Sequence, residues 1–198
     1  EIKWAEPGFD RVLAFKLRSG NPEKIFEAPN TMVLSETGAR KLFGKSDPIG
    51  QIVTVKHNFA TRDREIDIEV TGVYRDYPSN SHFKPDYILN VNALRSVYPD
   101  FHRLMEGSSF GDRENPIFFF ENYIVFKPGV NIPSILSMLQ PLADQMMRSD
   151  SAFVAAGWKM TPFLTKMSDF HFDTVNEWEY NAKGNKQYLA IFSAIAVL

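Results

Sequence analysis

Residues Pro29 to Gly50 read PNTMVLSETGARKLFGKSDPIG, and the order of residue types predicts a strand, a capped helix and a turn in direct succession. Pro29 to Leu34 is short and closes on Met32, Val33 and Leu34, the composition of a strand. Ser35 then supplies a hydroxyl that can accept from a first-turn amide, a group with no partner inside a helix. Glu36 places a carboxylate where the helix dipole favours negative charge, so a helix is expected over Glu36 to Phe43. Gly44 ends it, because glycine adopts a helix-terminating backbone without a Cβ clash. Asp47-Pro48-Ile49-Gly50 turns the chain into a second strand, Gln51 to His57.

Outward from this block the patterns are mixed. Ile66, Ile68, Val70 and Tyr74 alternate with Asp67, Glu69 and Thr71, which predicts a half-buried strand with the first four on one face. Arg62, Asp63 and Arg64 before it are expected in a polar loop. Asp76 to Pro85 (DYPSNSHFKP) is dense in turn formers, Tyr87 to Val91 is extended again, and Asn92 to Val97 reads as a helical turn. Upstream, Ile2 to Trp4 is extended and Pro7 to Phe15 holds a turn and a short helix. Gly20-Asn21-Pro22 turns into a helical pattern reaching Phe26. Downstream of a patternless stretch, Asp100 to Asn115, Phe118 to Phe126 is β-prone. Asn131 and Pro133 then open a helix to about Arg148, with Ile135, Leu139, Leu142 and Met146 on its buried face. Pro141 costs ~3 kcal/mol in a helix interior, so a kink or break is expected there. Lys159 to Phe163 and Leu164 to Phe172 are extended, making 118–163 a βαβ-like run. The fold class is α+β.

Composition narrows function by exclusion. The 198 residues are 44% hydrophobic, enough for one ordinary core or two small lobes. Lysine and arginine number 22 against 24 aspartates and glutamates, and a net charge of −2 offers no electrostatic case for nucleic acid. Without cysteine there is neither a disulfide nor a thiolate metal site. Tyr188 to Leu198 (YLAIFSAIAVL) has no charged residue and follows the polar, cationic Lys183 to Gln187. A bilayer span needs ~20 apolar residues, so 188–198 reads as the first half of a transmembrane helix and 176–187 as its stalk. A buried C-terminal helix is the competing reading. Glu1 runs straight into an apolar pattern, and the natural protein is expected to begin earlier.

Several groupings imitate functional sites. Gly38 to Ser46 (GARKLFGKS) resembles a phosphate loop, but five residues separate its glycines and the helix precedes Gly44 instead of following it. Asp169, His171 and Asp173 alternate, so on a strand they would share a face that could hold a divalent metal; a solvated sheet face is the preferred reading. His82, beside Ser79, Asn80 and Ser81, reads as a turn residue and not as a catalytic base, since no nucleophile with an orienting partner accompanies it. Arg40, Lys41 and Lys45 are expected to complement the helix dipole. Phe118, Phe119 and Phe120 with Tyr123 and Phe126 could line a ligand groove, but a central strand is the preferred reading; exposed, they would mark a partner or lipophilic-substrate surface. No catalytic, cofactor-binding or metal residue is assigned.

In order and spacing, Pro29 to Gly50, then Val70-Thr71-Gly72-Val73-Tyr74-Arg75-Asp76, then Pro78-Ser79-Asn80-Ser81-His82, and finally Lys183 to Leu198 resemble the periplasmic core domain of MacB/FtsX-type ABC transporter permeases. The resemblance implies a two-lobed extracytoplasmic domain of an inner-membrane protein. Residues 1–34 and 119–175 would form a porter-like βαβ lobe, short of the strand and helix that family members place before the position of Glu1. Residues 35–118 would form an inserted β-rich, Sabre-like lobe. It also implies a non-catalytic role, efflux or mechanotransmission, in which ATP hydrolysis by a cytoplasmic ATP-binding subunit moves the transmembrane helices of two permease copies. A periplasmic adaptor or lipoprotein would be a further partner. The alternatives are a membrane-tethered hydrolase using His171 or His82, or a passive ligand- or adaptor-binding module.

Overall fold

The computed structural model describes residues 1–13, 15–59, 62–79, 81, 83–98, 122–149 and 151–169. A six-stranded mixed sheet comprises β1 (Ile2–Ala5), β2 (Leu17–Gly20), β3 (Thr31–Ser35), β4 (Ile52–Phe59), β5 (Arg62–Tyr74) and β6 (Tyr87–Asn90), in the order β1-β6-β3-β5-β2 with β4 also paired to β5. Helices α1 (Phe9–Val12), α2 (Glu36–Phe43), α3 (Leu94–Val97), α4 (Ile132–Ser149) and α5 (Ser151–Ala156) surround or follow it, with a 3-10 turn at Val91–Ala93. The α+β class stands.

The block at 29–50 folds as its residue types dictate. Ser35 Oγ accepts from Gly38 N at 2.8 Å, and Gly44 closes α2 at φ 61°. All five residues of β3 are buried, which requires apolar side chains at consecutive positions because the sheet is covered on both faces. On one face Met32, Leu34, Ile68, Val70 and Leu89 pack with α2 residues Ala39 and Phe43. On the other, Val33, Ile88, Ala5 and Tyr74 pack with Ile25 and Phe26. An aromatic cluster covers that second face: Phe15 and Tyr77 meet Tyr74 edge-on at 5.2 and 5.9 Å, and Phe83 joins Tyr77 at 5.5 Å and Phe9 at 5.3 Å.

Tyr74 therefore lies on the face opposite Val70, which corrects the alternation read from the sequence. The β3–β5 register pairs Met32 with Val70 but Val33 with Gly72, so Thr71 is an extra residue, a bulge that reverses the side-chain parity beyond it. The Thr71 hydroxyl donates to Ile25 O at 2.7 Å and has Met32 O at 3.1 Å.

Other expectations are also corrected. Arg62, Asp63 and Arg64 are paired residues of β5, opposite Phe59, Asn58 and His57; a charged strand end is tolerated where only one partner strand continues. The segment after Asn21 forms successive turns and no helix, while Leu17–Gly20 is a strand that four residues were too few to reveal. Asn122 to Lys127 and Trp158 to Lys166 contain no strand, so among the described residues nothing flanks α4 as a βαβ unit, and α5 follows it instead. Within α4, Ala143 and Met147 are buried, whereas Leu142 and Met146 are exposed; the Asn131 cap holds, its Oδ1 accepting from Ser134 N at 3.2 Å. Pro141 lies inside α4, which is not broken there, since about two helical turns on each side outweigh one missing amide. The lobe border expected at 34/35 falls inside β3, and β1 and β2 hydrogen-bond into the same sheet as β4 to β6.

The chain divides into two compact units, 1–130 with 146–158, and 131–145 with 159–198. In the second, Gln140 Nε2 donates to Asp144 Oδ1 at 2.8 Å and to Met160 O at 3.0 Å. No helix among the described residues is long and apolar enough to cross a membrane. The run 188–198 and its stalk lie outside the described residues.

Candidate functional site

Four elements of the sheet body converge on Pro85 and Asp86. The Asp86 carbonyl accepts from Ser35 N at 2.8 Å, at the junction of β3 and α2. Asp86 N donates to the Glu1 carbonyl at 3.0 Å, just before β1 runs parallel to β6. The Asp86 carboxylate accepts from Lys41 Nζ at 3.1 and 3.2 Å. The Tyr74 hydroxyl, at the end of β5, donates to the Pro85 carbonyl. Gly38 brings α2 so close that an added Cβ would lie 2.5 Å from the Asp86 carbonyl oxygen.

A second carboxylate completes the arrangement. Asp76, two residues past β5, accepts from Thr37 N at 2.9 Å and from Thr37 Oγ1 at 2.6 Å. Arg40 Nη2 donates to Thr37 Oγ1 at 2.7 Å and stands 3.6 Å from Asp76. Burial alone would raise the Asp76 pKa, but the Thr37 side-chain and backbone hydrogen bonds, Ser35 and the Arg40 charge outweigh it and hold it below its ordinary 3.8.

Chemically, both carboxylates are engaged by donors from distant segments, which suits them to fixing those segments against one another. Because the folded-state pKa of Asp76 is depressed, its contribution is present above its ordinary 3.8 and is lost as pH falls through the lower folded value. Asp76→Ala is expected to cost about 1–2 kcal/mol at neutral pH, the magnitude of a lost helix cap. In urea melts against pH the difference between wild type and variant should close at acid pH; a gap that persists unchanged to pH ~2 contradicts the assignment.

The groupings singled out from sequence resolve as follows. Gly38 N is bound to Ser35 Oγ and α2 precedes Gly44, so the loop resembling a phosphate site is a helix seated on Asp86. Arg40 and Lys41 answer specific carboxylates in addition to the dipole. Asp169 lies exposed in a turn over Met167–Asp169, not on a strand, and accepts from Ser168 Oγ at 3.3 Å; His171 and Asp173 lie outside the described residues, as do His82, Asn80 and Phe118 to Phe120. Ser81 serves its own turn, its N donating to Pro78 O at 2.8 Å and its Oγ to Phe83 O at 2.9 Å. Tyr123 and Phe126 are half-buried in irregular chain. The convergence on Asp86 went unread because its partners are 45 to 85 residues away in sequence. An open cleft of about 390 Å³ between α1 and the turns after Asn21 is lined by Asp10, Arg11, Glu23, Lys24 and Glu27, charges of both signs without convergent geometry.

Residues 1–142 match the family model of the MacB-like periplasmic core domain. No curated protein matches the chain. Among solved structures it is similar to a permease-protein domain from Porphyromonas gingivalis, at 22% identity and a TM-score of 0.41, covering 74% of this chain and 57% of that one. The periplasmic region of MacB from Actinobacillus actinomycetemcomitans is similar at 15% identity and a TM-score of 0.41, covering 71% and 54%. The extracellular domain of the ABC-type transporter YknZ from Gram-positive bacteria follows at 20% identity and a TM-score of 0.34, covering 50% and 46%. The chain thus spans about half the length of these structures. The family match extends over most of the sequence, from β1 into α4, and the chain belongs to the MacB-like periplasmic core domains of ABC transporter permeases.

Proposed function

We propose that this domain is a non-catalytic transmitter. Motion of transmembrane helices, driven by ATP hydrolysis in a cytoplasmic subunit, passes through it to substrate or partner proteins in the periplasm. The observation that carries this reading is the convergence on Pro85–Asp86, where β1, the β3–α2 junction and the end of β5 are tied to one point of a sheet buried on both faces. A body whose first strand is tied into a close-packed core moves with that core, so displacement delivered at β1 is passed on and not absorbed. In this reading the natural protein sits in the inner membrane, works as a pair of permeases, and meets an adaptor or lipoprotein on its periplasmic side.

The test is mechanical. In the full-length membrane protein, a flexible Gly/Ser insert of about ten residues between Lys183 and Gln187 adds slack to the stretch that this reading takes as the stalk. ATP hydrolysis is expected to continue while the transport or release activity drops at least ~10-fold, because the stroke is taken up in the linker. Unchanged activity with the slack in place overturns the reading.

A further inference from the structure

With no cysteine in the chain, its sulfur chemistry falls on seven methionines, and among the described residues the fold separates five of them by exposure. Met138 and Met146 of α4 are 66% and 49% exposed, and Met167 is 56% exposed; Met32 and Met147 are 1% and 9% exposed. Met146 and Met147 are consecutive, yet ~100° of helix rotation leaves one residue half exposed and the other buried. We propose that Met138, Met146 and Met167 are sites of sulfoxide formation by two-electron oxidants such as hydrogen peroxide, with Met147 and Met32 protected by the fold. The sulfur lone pair attacks one peroxide oxygen, the O–O bond breaks as the S–O bond forms, and the second oxygen leaves as water after proton transfer. Sulfur is oxidised by two electrons and the peroxide reduced by two. An extracytoplasmic domain meets such oxidants without the cytosolic thiol pool around it.

The consequence follows from where the thioethers stand. Met138, Leu142 and Met146 recur every fourth residue on one exposed face of α4, and Leu142 is itself 57% exposed. Two sulfoxides convert that apolar face into a polar one without entering the sheet core, so oxidation alters what the surface can contact while leaving the fold intact.

The folded chain, treated with graded hydrogen peroxide and quenched, is digested and read by tandem mass spectrometry, which separates Met146 from Met147. Met138, Met146 and Met167 are expected to convert at least ~10-fold faster than Met147 and Met32, with the far-ultraviolet circular dichroism unchanged when Met138 is fully oxidised. In urea all five should convert at similar rates, showing that the fold sets the order. Equal rates for Met146 and Met147 in the folded chain, or the same order with and without urea, overturn the proposal.

Discussion

Tyr74→Ala is expected to lower the free energy of unfolding by about 4 kcal/mol, the upper range for deleting a buried aromatic ring. Tyr74 is fully buried at the end of β5, and its ring is the centre of the Phe15–Tyr74–Tyr77 edge contacts. Three losses coincide in the alanine variant. The ring's transfer from water is forfeited, the cavity is roofed by other rings that cannot all collapse into it, and the Pro85 carbonyl loses its donor. Tyr74→Phe isolates the last term and is expected to cost about 1–2 kcal/mol. Burial above all, followed by electrostatic repulsion from Tyr77 when ionised and from the Asp86, Asp76 and Glu1 carboxylates, pushes the Tyr74 pKa up, so the hydroxyl remains a donor through moderately alkaline pH. Urea unfolding of the two variants decides the matter: a Tyr74→Ala cost no larger than that of Tyr74→Phe would mean that the ring does not hold the aromatic face together.

The same residue shows how far sequence patterns reach. Its burial was legible, since Tyr74 ends an alternating run, but its face was not. One extra residue at Thr71 reverses the parity, and the bulge is set by what Thr71 meets across the sheet, Ile25 O and Met32 O, not by its neighbours in sequence. The strand, cap, helix and stop from Thr31 to Gly44 were legible because every determinant is local: Ser35 caps within three residues and Gly44 terminates its own helix. The carboxylates are the opposite case. Asp76 reads as the start of a turn, yet it caps a helix 39 residues upstream. Asp86 likewise reads as a residue before a strand, while Lys41 and Glu1 reach it from distant segments. Along α4, Ile135 and Leu139 are half-buried as the periodicity predicts, but beyond Pro141 the buried positions are Ala143 and Met147 in place of Leu142 and Met146, because apolar residues lie nearly all round the helix and packing chooses among them.

Gly38 supplies the second large effect, and here two principles oppose each other. In an exposed helix interior, glycine to alanine stabilises by about 1 kcal/mol through propensity. At Gly38 the new Cβ would stand 2.5 Å from the Asp86 carbonyl oxygen and 3.2 Å from both the Asp86 carbonyl carbon and Tyr87 Cε1. The nearest obstacle is backbone, and that carbonyl is already fixed by the Ser35 amide. Relief therefore requires α2 to lift from β6, which strains the Ser35 bond and the Lys41 and Thr37 contacts at once; overpacking of this kind costs about 1–3 kcal/mol. Gly38→Ala is expected to come out destabilised by about 1–2 kcal/mol despite its better propensity, and Gly38→Val by about 3–4 kcal/mol, because branching adds atoms to the same clash. Gly44 is the control: an added Cβ there meets nothing within 4 Å, so Gly44→Ala carries only the backbone cost of its positive φ, about 1 kcal/mol. If urea melts show Gly38→Ala more stable than wild type, α2 is not seated on Asp86. The convergence that ties β1, β3 and β5 together then loses its central contact, and the proposed transmission loses the rigidity it rests on.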